Sequence, residues 1–376
     1  MYIKPNELRT VQWEPTSYCN ANCIGCPRTD QETMLTRPHI VEFQRHASES
    51  ETQAFISSVT DPRIKNLNRI IYNGDIGDAM MHPSIDKIIT SVDQQRPEVR
   101  QTLHTNGGGP WASKFEKIGN YVSQQNPNAN IFLVFSIDGL ENTNHLYRRN
   151  VQWKHILKNA EILRKHKVQV RWRMNKFKHN EHQIDTARQI AKDWGWDFSL
   201  NDGTWGHDKV SDLLNQPSDT KLYKEKLKNW KNFEFEQSEF DYHAKPTQSY
   251  TDTCFWKKDK EIQVVSDMTV WPCCWTAHHH YQYWMNDERI WNKEKINLSN
   301  KFRVSKNLKD IKQWQEIMSI DQNKKYLDNT DIKITCDHLL YDVLTSNTFK
   351  HIDDNLKTNE MFNLDVCAET CRVCSN

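Results

Sequence analysis

Trp13-Glu14-Pro15-Thr16-Ser17-Tyr18-Cys19-Asn20-Ala21-Asn22-Cys23-Ile24-Gly25-Cys26-Pro27-Arg28 is the stretch on which the reading of this chain turns. Cys19, Cys23 and Cys26 stand there in a C-x3-C-x2-C array. Three thiols packed so closely cannot all face a core, but they can converge on one metal centre. A helix would bring positions i and i+4 together and leave i+7 off a tight face. Pro15, Asn20, Gly25 and Pro27 favour a loop instead. A loop leaving a strand can wrap three sulfurs around an iron–sulfur cube. A four-iron cluster takes four ligands, so one iron would stay open to something that is not protein. Zinc is the alternative, but no fourth ligand lies close by.

Composition bounds what surrounds this array. The 376 residues allow one large domain and a smaller one. A net charge of +1 supplies no basic field, so no nucleic-acid partner is expected. The 14 Trp, 14 Phe and 12 Tyr provide large apolar areas for a core in an otherwise polar chain. No run of about 18 apolar residues occurs, so no membrane span is expected. Met1-Tyr2-Ile3-Lys4-Pro5 has no apolar h-region. The expectation is a cytoplasmic protein with reduced thiols, where clustered cysteines bind metal rather than form a disulfide framework. The ten cysteines are unevenly placed: three at 19–26, then Cys254, Cys273, Cys274, Cys336, Cys367, Cys371 and Cys374. Two metal-binding regions therefore flank a cysteine-free body.

That body alternates strand and helix patterns. Strands are expected at Thr10–Thr16, Leu67–Asn73, Val99–Thr105, Asn130–Ser136, Val168–Met174 and Asp197–Asn201. Trp153, Ile156, Leu157, Ala160 and Leu163 recur at helical spacing, as do Ile184, Ala187, Ile190, Ala191 and Trp194, with Asn180 as the expected upstream cap. Six strands each followed by a helix imply parallel βα units, in a doubly wound sheet or a partial barrel. Either way the site belongs at the C-terminal ends of the strands. Residues 207–250 read as a charged helix and linker. Glu261–Val265 and Thr269–Trp271 read as a hairpin, and Leu308–Ile320 as a helix.

With the strands in place, Cys19-x3-Cys23-x2-Cys26 resembles the signature of the radical SAM superfamily. Asn73-Gly74-Asp75-Ile76-Gly77-Asp78-Ala79-Met80-Met81-His82-Pro83 is similar to that family's "GGE" segment after its second strand. Thr105-Asn106-Gly107 is similar to its T-N-G turn, and Ser136-Ile137-Asp138-Gly139 with His145 and Arg148-Arg149 to its S-I-D-G…H…R segment. The resemblance implies a partial (β/α)6 TIM-like barrel over residues 1–235. It implies a [4Fe–4S] cluster on Cys19, Cys23 and Cys26 whose open iron chelates S-adenosylmethionine (SAM). One electron would then cleave SAM to a 5′-deoxyadenosyl radical that abstracts a substrate hydrogen. Gly74, Gly77, Asp78, Asn106, Ser136 and Arg149 would surround the SAM, with Arg149 the better match to the basic position. The family often has an aromatic residue before the third cysteine; Gly25 stands here, which bears on how adenine packs.

Residues 236–376 resemble a SPASM or shortened twitch domain, a small cysteine-rich α+β unit carrying an auxiliary [4Fe–4S] cluster. Cys254 and Cys273 match its opening ligands, and two of Cys367, Cys371 and Cys374 would complete the set. Met268 stands where that family has Gly, so the hairpin there is open to alteration. One auxiliary cluster is expected, since the internal C-x2-C-x5-C-x3-C run is missing; zinc is the alternative at this second group. Cys274 and Cys336 read as buried apolar thiols, and His278-His279-His280 as a surface loop. The resemblance implies a peptide or protein substrate, with a small molecule as runner-up, and a reductant such as flavodoxin or ferredoxin. The contrasting reading is a non-catalytic iron–sulfur or zinc protein that carries electrons or serves as a scaffold. Arg171 and Arg173 share one side of the fifth strand, placed to grip a carboxylate or to pair with acidic neighbours.

Overall fold

Hydrophobic runs punctuated by amphipathic stretches fold here as repeated strand–helix units. The computed structural model describes residues 3–26, 28–42, 44–74, 76–202, 213–229, 259–271, 333–347 and 349. They fall into two compact units: Trp13–Ala47 with Asn68–Lys231, and Met1–Gln12 with Ser48–Leu67 and Asn232–Asn376.

The strands in chain order are β1 (Thr10–Trp13), β2 (Asn22–Cys23), β3 (Thr29–Asp30), β4 (Leu35–Thr36), β5 (Arg69–Tyr72), β6 (Arg100–Thr105), β7 (Ile131–Ser136), β8 (Arg148–Arg149), β9 (Gln169–Asn175), β10 (Asp197–Asn201), β11 (Glu261–Val264) and β12 (Val270–Trp271). The principal helices are α1 (Pro38–Glu42), α2 (Glu49–Val59), α3 (Ile85–Gln95), α4 (Ala112–Asn120), α5 (Asn144–Tyr147), α6 (Trp153–Lys165), α7 (Ile184–Asp193), α8 (Thr220–Asn229) and α9 (Leu340–Thr345).

In the first unit β5, β6, β7, β9 and β10 run parallel, each beside its predecessor in that series. Trp13, the last residue of β1, extends the series: its carbonyl accepts from Asn73 N at 3.1 Å. A doubly wound sheet would reverse its strand order; this consecutive order is that of a partial (β/α) barrel. Helices α3, α4, α6 and α7 connect the strands. Ile85, Ile88, Ile89 and Val92 of α3 are buried at helical spacing. Phe115 of α4 packs on Phe135 of β7 at 5.5 Å between ring centroids. Trp172 of β9 stacks on Trp194 at 5.7 Å. In α6 the buried stripe is Ile156, Ala160 and Leu163, while Leu157 is exposed.

β9 shows the two faces of the sheet plainly. Val170, Trp172 and Met174 are buried, while Gln169 and Arg173 are exposed and Arg171 is half-buried. Asn180 does not cap α7. Its amide nitrogen donates to Asp138 O and Asn175 O, both at 2.9 Å, and its side-chain oxygen accepts from Phe177 N at 2.8 Å. A turn of 3₁₀ helix at Glu181–Gln183 separates it from the helix it was expected to start.

In the second unit Ser48 and Glu51 form a capping box that starts α2. β11 and β12 form the expected antiparallel hairpin, tightened by Asp267, which accepts from Thr269 N and Oγ1. Met268 holds φ at 71° with its side chain fully buried. The left-handed conformation costs roughly 1–2 kcal/mol, and burying a Met side chain returns about 1.5–3 kcal/mol. The turn therefore keeps its shape without the glycine. No helix among the described residues is long and apolar enough to cross a membrane.

Candidate metal centre

The cysteine loop leaves the C-terminal end of β1 and is held from every side by backbone. Cys26 N donates to Cys23 O at 3.0 Å and Thr29 N to Cys26 O at 2.9 Å, closing a tight turn under the array. β2 pairs with β8, setting Asn22 opposite Arg149 and Cys23 opposite Arg148. The loop after β5 presses on the array from below. Glu14 Oε1 accepts from Ile76 N at 3.0 Å and Gly77 N at 2.7 Å. A Cβ on Gly77 would lie 1.8 Å from Thr16 O, and one on Gly74 2.3 Å from Gly77 O. Both glycines thus serve the approach of one backbone to another.

Asp78 ties this loop to the turn after β6. Its Oδ2 accepts from Thr105 Oγ1 at 3.0 Å and from Asn106 N and Nδ2, both at 2.8 Å; its Oδ1 accepts from Met80 N at 3.0 Å. Asn106 Nδ2 also donates to Asn20 Oδ1 at 2.8 Å, inside the cysteine loop. Burial raises the Asp78 carboxyl despite these donors, which oppose it. Ser136 is half-buried at the end of β7, in register with Arg173.

Cys23 is buried, and Cys19 and Cys26 are half-buried; all three are free thiols. Burial pushes Cys19 up to about 12, with Asp78 adding to it and Arg28 opposing. Burial likewise pushes Cys23 up to about 12 and Cys26 up to about 11. Each thiol also feels the charge of another of the three. As bare thiols they hold their protons at neutral pH. A bound metal would supply the positive charge that keeps them as thiolates.

Two arginines complete the setting. Arg28 is 2% exposed. Its Nη1 donates to Ser17 O at 3.1 Å and to Ile76 O, and its Nη2 to Thr36 Oγ1 at 3.4 Å. Its Nε has no partner, and no carboxylate pairs with it among the described residues. Arg148 forms a buried ion pair with Asp138 at 2.7 Å and sets Nη1 3.8 Å from Cys23 Sγ. Burial lowers the Arg148 pKa, but Asp138 and then Cys23 outweigh that and raise it. Arg149, the expected basic residue, instead donates to the carbonyls of Leu213, Leu214 and Gln216. Antiparallel pairing turns neighbouring side chains to opposite faces, so only one of the pair can reach Cys23. Nothing in the local sequence says which.

Among the described residues no group of three or more His, Cys, Asp or Glu is arranged to hold a single metal ion. Arg28 is the residue that motif reading passes over, although it lies two positions beyond the last cysteine. Cys336 is exposed, not buried as expected: the turn joining Thr335 to His338 carries it outward, with Sγ 3.6 Å from Ser50 O. Cys254, Cys273, Cys274, Cys367, Cys371, Cys374, His278–His280 and the expected helix Leu308–Ile320 lie outside the described residues.

No family model and no curated protein matches the chain. Some solved structures resemble it loosely. SuiB of Streptococcus suis is 15% identical with a TM-score of 0.44, covering 72% of this chain, which spans 61% of that one. SuiB bound to S-adenosylmethionine is 15% identical with a TM-score of 0.45 over 81% of this chain and 68% of that one. Hexahistidine-tagged anSMEcpe with bound AdoMet is 13% identical with a TM-score of 0.44 over 98% and 99%. Likenesses of this degree do not assign a family.

Proposed function

We propose that the chain is a radical SAM enzyme acting on a peptide or protein. The observation that supports this reading is the buried Arg28 guanidinium, unpaired with any carboxylate among the described residues, whose charge reaches all three thiols. A buried cation is costly without a counter-charge, and a thiolate-ligated iron–sulfur cluster is anionic. Cys19, Cys23 and Cys26 would hold the [4Fe–4S] cluster. Once bound, cluster and SAM together supply a one-electron reductive cleavage that generates a carbon radical for hydrogen abstraction.

The protein's own groups do the positioning. Glu14 and Asp78 fix the loop after β5 against the cysteine loop, and Asn106 bridges Asp78 to Asn20. Gly74, Gly77, Asp78, Asn106 and Ser136 lie on the loops and strand ends that would surround SAM. Arg148, held by Asp138 beside Cys23, is the better placed arginine to meet the SAM carboxylate; Arg149 would buttress the wall. The peptide class rests on the resemblance of residues 236–376 to SPASM-type domains, where Cys254, Cys273 and two of Cys367, Cys371 and Cys374 would hold an auxiliary [4Fe–4S] cluster. A cytoplasmic flavodoxin or ferredoxin would supply the electron.

Anaerobic reconstitution followed by dithionite and SAM tests the reading. The expected product is 5′-deoxyadenosine, and Cys23→Ala should abolish it while removing about four irons per chain. A fully loaded cluster that leaves SAM intact would overturn the enzyme and favour an electron carrier.

A further inference from the structure

The sheet face away from α4, α6 and α7 carries charge that the cysteine site does not use. Arg171 and Arg173 of β9 both point there, as alternation requires once Trp172 is packed among the helices. Arg171 makes only an exposed contact with Asp197 at 3.3 Å, a pair of little strength in water. It also lies over the Phe132 ring at 5.2 Å, with Arg100 over the same ring at 4.7 Å. Arg173 makes no side-chain hydrogen bond or ion pair among the described residues. It nevertheless stands in register with Ser136, the last residue of β7, two positions before Asp138, the partner of Arg148. Although Arg173 is exposed, the protein packed around it lowers its pKa, with Arg148 adding to that and Asp138 opposing it. His104, on the same face, feels Arg173, Arg69 and Arg171.

Several cations thus share one face of the sheet: Arg69 and Arg100 open β5 and β6, Arg171 lies opposite Asp197 at the start of β10, and Arg173 stands nearest the C-terminal end. They repel one another, and the one nearest the cysteine site is unpaired. Folding alone gives no return for this arrangement. An anion bound between them would remove the repulsion, and a planar guanidinium suits a two-oxygen group.

We infer that this face binds an anionic group of the substrate, carboxylate or phosphate, with Arg173 as its anchor and Arg171 recruited from Asp197. The inference rests on the proposed function for calling the ligand a substrate, and it narrows that substrate to an acidic one.

Calorimetric titration of the anaerobically purified chain with triglutamate, triglutamine and inorganic pyrophosphate tests it. Triglutamate or pyrophosphate should bind, and triglutamine should bind at least about tenfold more weakly. The better of the two anions identifies the source as carboxylate or phosphate. Arg173→Gln should weaken that binding about tenfold or more, and Arg173→Lys, which keeps the charge without the fork, by less. Unchanged circular dichroism and melting temperature would show that both variants fold. SAM affinity, titrated separately on reconstituted protein, should be the same in all three. Neither anion binding, or equal binding by Arg173→Gln, overturns the inference. So does a matching loss of SAM affinity, which would assign Arg173 to the cofactor. Anion binding without any SAM binding would instead overturn the proposed function and leave the anion site standing.

Discussion

The loops around the cysteines and the sheet face that carries Arg173 belong to one compact unit, yet their polar groups are treated in opposite ways. Around the cysteines several buried groups are multiply engaged: Asp78 accepts four hydrogen bonds, Glu14 holds two backbone N–H groups, and Asn106 bridges two loops, while Arg28 Nε and Thr29 Oγ1 have no hydrogen-bond partner among the described residues. On the face of β9 cations stand near one another with weak partners or none. Saturated networks fix geometry, because each bond lost leaves a buried group unsatisfied. Unsaturated charge contributes little to rigidity and is available to a ligand. The contrast separates groups that hold the site from groups that meet what enters it.

Asp78 is the sharpest way to break the contrast. Asp78→Ala would strand Thr105 Oγ1, Asn106 N and Met80 N inside the protein and leave Asn106 Nδ2 with its bond to Asn20. The expected loss is about 3 kcal/mol of unfolding free energy, measured by urea titration. Asp78→Asn keeps one acceptor oxygen for the Thr105 and Asn106 donors but faces Met80 N with an amide donor. Its loss should be about 1–2 kcal/mol. Equal stability of both variants and wild type would mean that the network does not hold these loops.

His104 probes the other region. Burial is the first cause of its depressed pKa, followed by Arg173, Arg69 and Arg171, and together they bring it from 6.5 to about 4. Between those values the unfolded chain binds a proton that the folded protein refuses. Stability therefore falls as pH drops from 6.5 towards 4 and gains nothing from this group above 6.5. The whole shift corresponds to roughly 3 kcal/mol, and residual solvent contact reduces it to about 1–2 kcal/mol. His104→Gln should lose about 1 kcal/mol less than wild type between pH 7 and pH 5. Arg173→Gln should raise the imidazole pKa in an NMR titration; an unmoved pKa would show that burial alone depresses it.

How much of this was legible in the sequence follows the range of the interactions. The strands of the parallel sheet read clearly, because a run such as Ile131–Ser136 is apolar on both faces. The cysteine array read clearly because its spacing is local. The two-residue pairing of β2 with β8 carries no periodic signal and joins positions far apart in the chain. It nevertheless decides that Arg148 and not Arg149 meets Cys23. Asn180 illustrates the same limit: its local context fits a helix cap, while its bonds to Asp138 and Asn175 place it elsewhere. Arg28 follows the array so closely that it looks like loop, and only the fold shows that it is buried.

The smallest expected effect lies at the rim of the cysteine loops, where the engaged network runs out. Lys226 of α8 pairs with Asp30 at 3.0 Å and Glu32 at 2.5 Å, on the β3–β4 hairpin that follows the array. Burial would raise the Asp30 carboxyl, but Thr33 N and Lys226 outweigh it and hold the pKa below 3.8. A depressed carboxylate stabilises the fold above its unfolded pKa, and the contribution is lost as pH falls through the folded value. Lys226→Met keeps the apolar stem and removes the charge. It should cost about 1 kcal/mol at pH 7, the upper range for a pair with partial solvent contact. Asp30 Oδ1 would still accept from Glu32 N, Thr33 N and Thr33 Oγ1, so the hairpin itself should persist. The gap between variant and wild type should close below pH 3.8, once Asp30 is protonated in both. A gap that stays constant with pH would assign the loss to packing of the α8 side chain and end the electrostatic network at the hairpin.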